Sequence, residues 1–410
     1  MGCRRAAATA AVTSTSTLIR GKAMRRQPER ECSHGGAALD GERSHAVLLP
    51  APLTINGKFT SQRLTGVQRV ARELTAALSQ QCGTLAASPL LLVPRDHIDS
   101  ELPAATPRHV VPYLRGMLWE QLALPFAAGS RTLLSLCNIG PLFKRRQVLM
   151  IHDAAVFDLP QGYSTQFRLW YRFAFALLKR NVQHILTVSS FSKGRIAARL
   201  GVPPERISVI PPGVDHFDRL ESDYAVLQRL SLSFDRFVLI VGSLAPGKNL
   251  ARTLEAIALL EREHPGLTFV IAGGQNVKVF GSSLPRAASA AKHIVWAGYV
   301  SDGELKALYE NAACFVFPSL YEGFGLPPLE AMYCGCPVIA SREASLPEVC
   351  GDAALYCDAH DAADIAAKIV ELMGDVEQRR AMREKGRAHA QQYRWDTSAS
   401  RLLQVLRQFG

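Results

Sequence analysis

Between Cys314 and Ser341 the chain reads apolar run, glycine turn, helix, apolar run, and few folds admit that order. Cys314-Phe315-Val316-Phe317-Pro318 has the length of a strand and no polar side chain. Gly323-Phe324-Gly325-Leu326-Pro327-Pro328 follows, then the helical pattern of Leu329, Glu330, Ala331 and Met332, then Pro337-Val338-Ile339-Ala340 as the next strand. The glycines therefore fall on a strand-to-helix turn, where they let backbone N–H groups approach an anion. Glu322 sits in the turn and Glu330 about one helical turn in, leaning back over the same crevice because helical side chains tilt toward the N-terminus. Two ionised carboxylates facing one pocket are suited to gripping hydroxyls through charge-assisted hydrogen bonds, and a sugar and a ribose both offer them. Taken alone, two glutamates at this spacing recur by chance on the solvated faces of helix-rich proteins.

Strand and helix patterns alternate along most of the chain. Ala46-Val47-Leu48-Leu49, or slightly later Leu53-Thr54-Ile55, opens the first series as a strand. A loop follows, and Gly66-Val67-Gln68-Arg69 starts a helix with Val70, Leu74 and Leu78 on one face. Gly66 at a helix start after a strand suits a phosphate, and equally a plain turn. Leu90–Val93, Thr132–Leu136 and Val148–Ile151 read as strands, the last running into His152-Asp153, at the strand end where open α/β sheets place ligand groups. Tyr163–Ile185 has a helical pattern with Phe167, Trp170, Tyr171, Phe173 and Phe175 beside Arg168, Arg172, Lys179 and Arg180, the pattern of a packed helix with a solvated basic side or of a membrane-surface face. Ser189 caps the next helix, and Ile207–Ile210 ends in the breaker-rich Pro211-Pro212-Gly213-Val214-Asp215. A second series starts at Phe237–Val241, running into Gly242-Ser243-Leu244-Ala245-Pro246-Gly247-Lys248-Asn249 before a helix. Lys248 at a helix N-terminus is well placed for phosphate, yet this is neither GxGxxG nor a P-loop, since Asn249 stands where Ser or Thr is needed. Leu267–Ala272 is a further strand, Ile294–Val300 follows it, Leu346–Val349 and Ala353–Cys357 come after the glutamate segment, and a last helix runs from about Trp395.

With 410 residues two domains are expected, and the 48% hydrophobic content suits a folded protein. No apolar run approaches the roughly 18 residues of a membrane span. The net charge of +11, from 47 Lys and Arg against 36 Asp and Glu, favours anionic partners such as nucleotide diphosphates or a phosphate-rich membrane. Nine scattered cysteines, with only Cys334 and Cys336 close, match no zinc spacing and read as thiols in a reducing cytoplasm. Residues 1–48 are basic and almost without large apolar side chains; a disordered extension is expected, and neither a secretory signal nor a myristoylation motif fits. Met24 is an alternative start.

EGFGLPPLEAMYCGCPVIAS resembles the donor segment of retaining GT-B glycosyltransferases of the large group 1, or family 4, type, whose Glu, seven residues, Glu signature is matched by Glu322 and Glu330. INGKFTSQRLTGVQRVARE and VLMIHDAAVFDLP are similar to that family's N-terminal and histidine segments, in members of bacterial surface-polysaccharide assembly. The resemblance covers about 53–405 and is strongest over 237–357. It implies a GT-B fold, two Rossmann-like α/β domains with parallel sheets facing across a cleft. It places an acceptor domain at 49–220, a donor domain at 221–394, and a C-terminal helix at 395–410 that packs back on the first. It implies Lys248 as the diphosphate lysine, Glu322 holding the donor sugar, Glu330 the ribose, His152 orienting the sugar from the opposite domain, and Gly66 bringing backbone to the diphosphate. Ser243, Tyr299, Gly323, Phe324, Gly325 and Leu326 complete the expected donor site. Gly247 departs from the usual arginine and Ser243 from the arginine of some members, which leaves the anion grip to Lys248 and backbone amides.

The resemblance implies hexose transfer, with retention, from a nucleotide diphosphate sugar to a saccharide or polyprenyl-linked saccharide. No cofactor or metal is expected, because the lysine and helix termini replace a divalent ion. Mannose from GDP-mannose is favoured; rhamnose from its dTDP or GDP form and glucose stay open. A cytoplasmic protein touching the membrane peripherally is expected, with no nucleic-acid partner. A catalytically silent glycan-binding member of the same fold and a dinucleotide oxidoreductase are the alternatives; the retained Lys248, Glu322, Glu330 and His152 argue against the first, and the missing GxGxxG against the second.

Overall fold

In the computed structural model, residues 53–82, 88–98, 102, 106–243, 245–273 and 293–409 are described. The expected extension 1–48, the expected first strand at Ala46–Leu49, Leu244, Gly274 and Gly410 lie outside them, and the first described strand is the later option, starting at Leu53. All the described residues belong to one unit, Ala46–Gly410, which holds two parallel sheets.

The first sheet takes β1 (Leu53–Asn56), β2 (Leu90–Pro94), β3 (Arg108–Val111), β4 (Thr132–Ser135), β5 (Gln147–Met150), β6 (His184–Thr187) and β7 (Ile207–Val209) in the order β3-β2-β1-β4-β5-β6-β7. The second takes β8 (Phe237–Val241), β9 (Thr268–Ala272), β10 (Ile294–Gly298), β11 (Cys314–Phe317), β12 (Val338–Ser341) and β13 (Leu355–Cys357) in the order β10-β9-β8-β11-β12-β13. Every pairing is parallel. The unbroken apolar runs explain this: β4, β5 and β11 are buried along their whole length, which a strand covered by helices on both faces requires. Each sheet is doubly wound, so its order reverses once, between β1 and β4 in the first and between β8 and β11 in the second. Crevices outside the carboxyl ends of such neighbouring strands are where open α/β sheets bind ligands. The expected GT-B architecture is therefore present.

The helices that bear on the site are α1 (Gly66–Cys82), α2 (Thr165–Asn181), α3 (Ser190–Leu200), α4 (Leu250–Glu263), α5 (Leu326–Tyr333), α6 (Val376–Ala390) and α7 (Trp395–Leu406). The helical pattern of Tyr163–Ile185 stops earlier than its periodicity suggests. Val182 is extended, and β6 starts at His184. Helix α3 begins where Ser189 accepts a hydrogen bond from the Ser192 N–H. Helix α7 lies along α1: Gln81 donates to the Asp396 carbonyl at 2.7 Å, and Asp215 accepts from the Trp395 N–H at 2.9 Å.

Candidate active site

The turns after β8 and β11 face each other across the reversal of the second sheet. After β8, Pro246–Lys248 forms one 3-10 turn and Asn249 is left-handed, φ 59°. The Asn249 amide donates to the Pro318 carbonyl at 2.9 Å and to the Ala359 carbonyl at 2.7 Å, and the Leu320 N–H donates to the Gly247 carbonyl at 2.8 Å. Asn249, the residue that breaks a P-loop pattern, thus ties the lysine turn to the glutamate turn. The result is direct contact between two expected site residues: Lys248 Nζ donates to Glu322 Oε1 at 2.7 Å and lies 4.9 Å from the centre of the Phe317 ring.

Beyond Glu322 the turn must pass close under the first domain. A Cβ on Gly323 would lie 2.6 Å from the His152 carbonyl oxygen, so only glycine fits. The Gly323 carbonyl accepts from Ser189 Oγ at 2.5 Å and from Ser192 Oγ at 2.9 Å. Glu348 reciprocates by accepting from the Ser190 and Phe191 N–H groups, capping the start of α3 from the second domain. Gly325 is left-handed, φ +101°, which turns the chain into α5. Phe324 and Leu326 are buried beside it. Because Pro327 and Pro328 lack N–H groups, Leu326 alone among the first three residues of α5 offers a free donor, so the anion-binding capacity of the helix start is confined to the Gly325–Leu326 backbone.

Glu330 is 9% exposed, and burial pushes its carboxyl up to about 7; Asp302 adds to the rise, and Arg69 and Lys248 oppose it. Arg69 reaches in from α1 and pairs with Asp302 of the second domain. His216 stands 3.7 Å from Glu330 Oε1 through Nε2. The Trp395 indole N–H approaches His216 Nδ1 at 3.3 Å, which leaves the ring proton on Nε2, facing the carboxylate. Burial first, then Arg69 and Arg219, hold His216 well below its ordinary value, so it is neutral.

His152 is buried, and its Nε2 lies 2.8 Å from the Leu136 carbonyl. A carbonyl only accepts, so Nε2 carries the proton and Nδ1 is an acceptor. Burial lowers this imidazole to about 4 and keeps it neutral, even though the Leu136 bond favours the charged form. The neighbouring Asp153 is raised by burial and by Glu322, against the Ala155 N–H and Lys248. Gly66 faces Leu326, whose Cδ1 lies 3.8 Å from where a Cβ on the glycine would sit.

The structure thus gathers His152, Gly66, Lys248, Glu322, Gly323, Phe324, Gly325, Leu326 and Glu330 around one cleft. Tyr299 stands at the end of β10, half exposed, with the Arg63 guanidinium 4.8 Å above its ring. Ser243 is exposed and makes a local turn bond, accepting from the Ala245 N–H at 3.4 Å. Sequence reasoning missed Arg69, His216 and Asp302 as members of this site. Arg69 carried a signal: it lies three positions after Gly66, on the same face of α1. His216 carried none, because its neighbours Trp395 and Glu330 lie far from it in sequence. Among the described residues no group of three or more His, Cys, Asp or Glu is arranged to hold a metal ion.

Comparison with known proteins agrees with this geometry. Residues 229–389 match the family model for glycosyl transferases group 1, and residues 64–216 that for glycosyltransferase family 4. The chain is 32% identical over 265 residues to the O-antigen chain mannosyltransferase B of Escherichia coli, covering 63% of this chain and 69% of that protein. It is 27% identical over 243 residues to the O-antigen chain mannosyltransferase RfbU of Salmonella typhimurium, covering 59% and 65%. A serotype-specific mannosyltransferase of Escherichia coli, WbdA, matches at 29% over 233 residues; there the match spans 27% of the longer protein. Among solved structures, WaaG, a glycosyltransferase involved in lipopolysaccharide biosynthesis, superposes with a TM-score of 0.66 at 15% identity, covering 86% of this chain and 99% of that one. Anabaena HepE in complex with UDP and glucose superposes at 0.68 with 16% identity, covering 87% and 99%.

Proposed function

The chain belongs to the group 1, family 4 glycosyltransferases of GT-B fold, and from that footing we propose that it moves mannose from GDP-mannose onto a lipid-linked saccharide with retention of anomeric configuration, in O-antigen or related polysaccharide synthesis. The observation that carries this reading is the Lys248–Glu322 pair, set between the β8 and β11 turns beside the N-terminus of α5. Lys248 and the Gly325–Leu326 amides stabilise the charge that grows on the leaving diphosphate. Glu322 holds a hydroxyl of the donor sugar, and Glu330 accepts from the ribose. His152 accepts a sugar hydroxyl at Nδ1, and Gly66 lets the α1 backbone approach the diphosphate. Tyr299 lies against the base, with Ser243 at the rim. The mannosyl choice is supported by the named activities of the relatives, O-antigen chain mannosyltransferases among them.

No described helix is long and apolar enough to cross a membrane. We infer peripheral contact with an anionic bilayer on the cytoplasmic side. Leu118, Leu122 and Phe126, spaced by four along one helical stretch, are 60%, 59% and 90% exposed, and Arg115, Arg131, Arg145 and Arg146 are exposed nearby in sequence. Product analysis tests the catalytic reading. Offered GDP-mannose, GDP-rhamnose, dTDP-rhamnose and UDP-glucose with a lipid-linked saccharide, the enzyme should extend the acceptor by one α-linked mannose from GDP-mannose. Exclusive use of another donor, or an inverted product, would overturn it.

A further inference from the structure

The backbone around Glu322 is pinned mostly by its own domain. Ser341 Oγ donates to the Ser319 carbonyl at 2.5 Å, and Ser345 Oγ donates to the Glu322 carbonyl at 2.9 Å and to the Phe324 carbonyl at 2.8 Å. The Leu320 N–H is taken by Gly247. The two residues that flank Glu322 break this pattern, because each bonds to the first domain. On one side the Gly323 carbonyl accepts from Ser189 and Ser192. On the other, the Tyr321 hydroxyl donates to Asp158 Oδ2 at 2.9 Å.

Asp158 ends the short helix Ala155–Asp158, and its side chain is 7% exposed. It collects three further hydrogen bonds from the first domain. Arg195 donates through Nε to Oδ2 at 2.8 Å and through Nη2 to Oδ1 at 2.5 Å, and Arg199 donates through Nε to Oδ1 at 2.6 Å. Burial opposes ionisation of this carboxyl, but the hydrogen bonds from Arg195, Arg199 and Tyr321 hold it down at about 2. Arg195 and Arg199 lie one turn apart on α3, whose start carries Ser192. Phe191 of the same helix meets the Tyr321 ring edge-on, with centres 5.5 Å apart. One helix therefore grips both neighbours of Glu322.

A carboxylate already bonded by two arginines gains little charge balance from a tyrosine hydroxyl. What that hydroxyl fixes is the chain one residue before Glu322, whose own carboxylate meets Lys248 at 2.7 Å. A shift of the order of 1 Å in a group that acts on the reacting bond costs rate far more than it costs binding.

We propose that Tyr321 is a positioning residue for the transfer reaction: anchored on Asp158, it sets where the Glu322 carboxylate meets the donor sugar. The assignment rests on Glu322 holding that sugar, and it deepens that reading by naming what aligns the carboxylate.

The test follows GDP release from GDP-mannose with octyl α-mannoside as acceptor, beside isothermal titration with GDP alone. Tyr321→Phe removes the hydroxyl and keeps the ring on Phe191. It should lower kcat about tenfold or more, as for losing a hydrogen bond to a charged group, and leave GDP affinity and the melting temperature in place. Asp158→Ala removes the acceptor, and in that background Tyr321→Phe should cost nothing further. If Asp158→Ala fails to fold, the split between kcat and GDP affinity in Tyr321→Phe decides alone. A Tyr321→Phe enzyme with wild-type kcat would overturn the proposal. So would a fall in kcat matched by an equal loss of GDP affinity, or losses that add in the double variant. A wild-type enzyme that binds no GDP, or releases none from GDP-mannose, would instead overturn the donor reading on which the proposal stands.

Discussion

At the scale of single residues the two signature glutamates sit in different environments, and that difference assigns them different work. Glu322 is bonded to Lys248, the residue proposed to meet the leaving diphosphate. Its effect is concentrated in the transition state, so Glu322→Ala should lower kcat with little change in GDP affinity. Glu330 is shielded from water beside His216 and Arg69, and Glu330→Ala should weaken GDP binding about 10- to 150-fold, the cost of one hydrogen bond to a charged group. Isothermal titration with GDP alone separates them, and equal losses in both variants would sink the division. The raised value of Glu330 adds a pH signature. Below about 7 the carboxyl is protonated and no longer accepts from two hydroxyls, so GDP affinity should fall as pH drops from 8 to 6, and Glu330→Gln should abolish that slope. Stability runs the other way. The folded value lies above the ordinary 4.5, so the protonated carboxyl favours the folded state below 4.5, and that advantage is lost as pH rises through about 7. Relative to Glu330→Gln, the wild-type melting temperature should therefore decline between pH 5 and 8.

Among the elements, the turn from β11 into α5 matters most, because it is both the proposed donor site and a domain contact. Gly323 has backbone, not a flexible side chain, in the way of a Cβ. Gly323→Ala should force the first domain away from the turn and break the Ser189 and Ser192 bonds to its carbonyl. The expected outcome is a larger radius of gyration in small-angle scattering and a lower kcat, with the melting temperature reduced only modestly. An unchanged scattering profile with normal kcat would show that the domains tolerate the extra carbon. This element was legible in the sequence because everything that makes it is local: an apolar run, glycines and prolines in order. Others were not. β3 is an edge strand with three exposed residues, Arg108, His109 and Val110, and so carries no apolar run. Helix α6 is polar almost all round, with only Arg379, Gly386 and Ala390 buried, and Arg379 is bound to Asp235 far from it in sequence.

For the whole molecule, the excess of basic residues and the outward stripe of Leu118, Leu122 and Phe126 belong together. The wild-type protein should sediment with vesicles rich in anionic phospholipid and less with neutral ones, and less again as salt is raised. Replacing the three stripe residues by serine should abolish sedimentation and leave GDP affinity intact. Equal sedimentation of that variant would remove the stripe from the membrane contact. The aromatic and basic residues around α2 read in the sequence as a packed helix with a solvated basic side, with a membrane-surface face as the alternative. Tyr163, Phe167 and Tyr171 there stack on one another, with ring centres 5.4 Å and 4.4 Å apart, which the sequence presents only as aromatic residues on a helical pattern.

The sequence by itself determined the two doubly wound sheets, the family, and the two glycine turns after β8 and β11, because strands covered on both faces and glycine turns are written in adjacent residues. Tertiary structure alone decided the rest. It chose which carboxylate meets Lys248, made Glu330 hard to ionise, fixed the proton of His152 on Nε2, and brought His216 and Arg69 to their partners. Those outcomes depend on burial and on groups apart in sequence, from 16 positions for His152 with Leu136 to 233 for Arg69 with Asp302. Electrostatic energy follows distance and exposure in space, and neither is encoded in the spacing of residues along the chain.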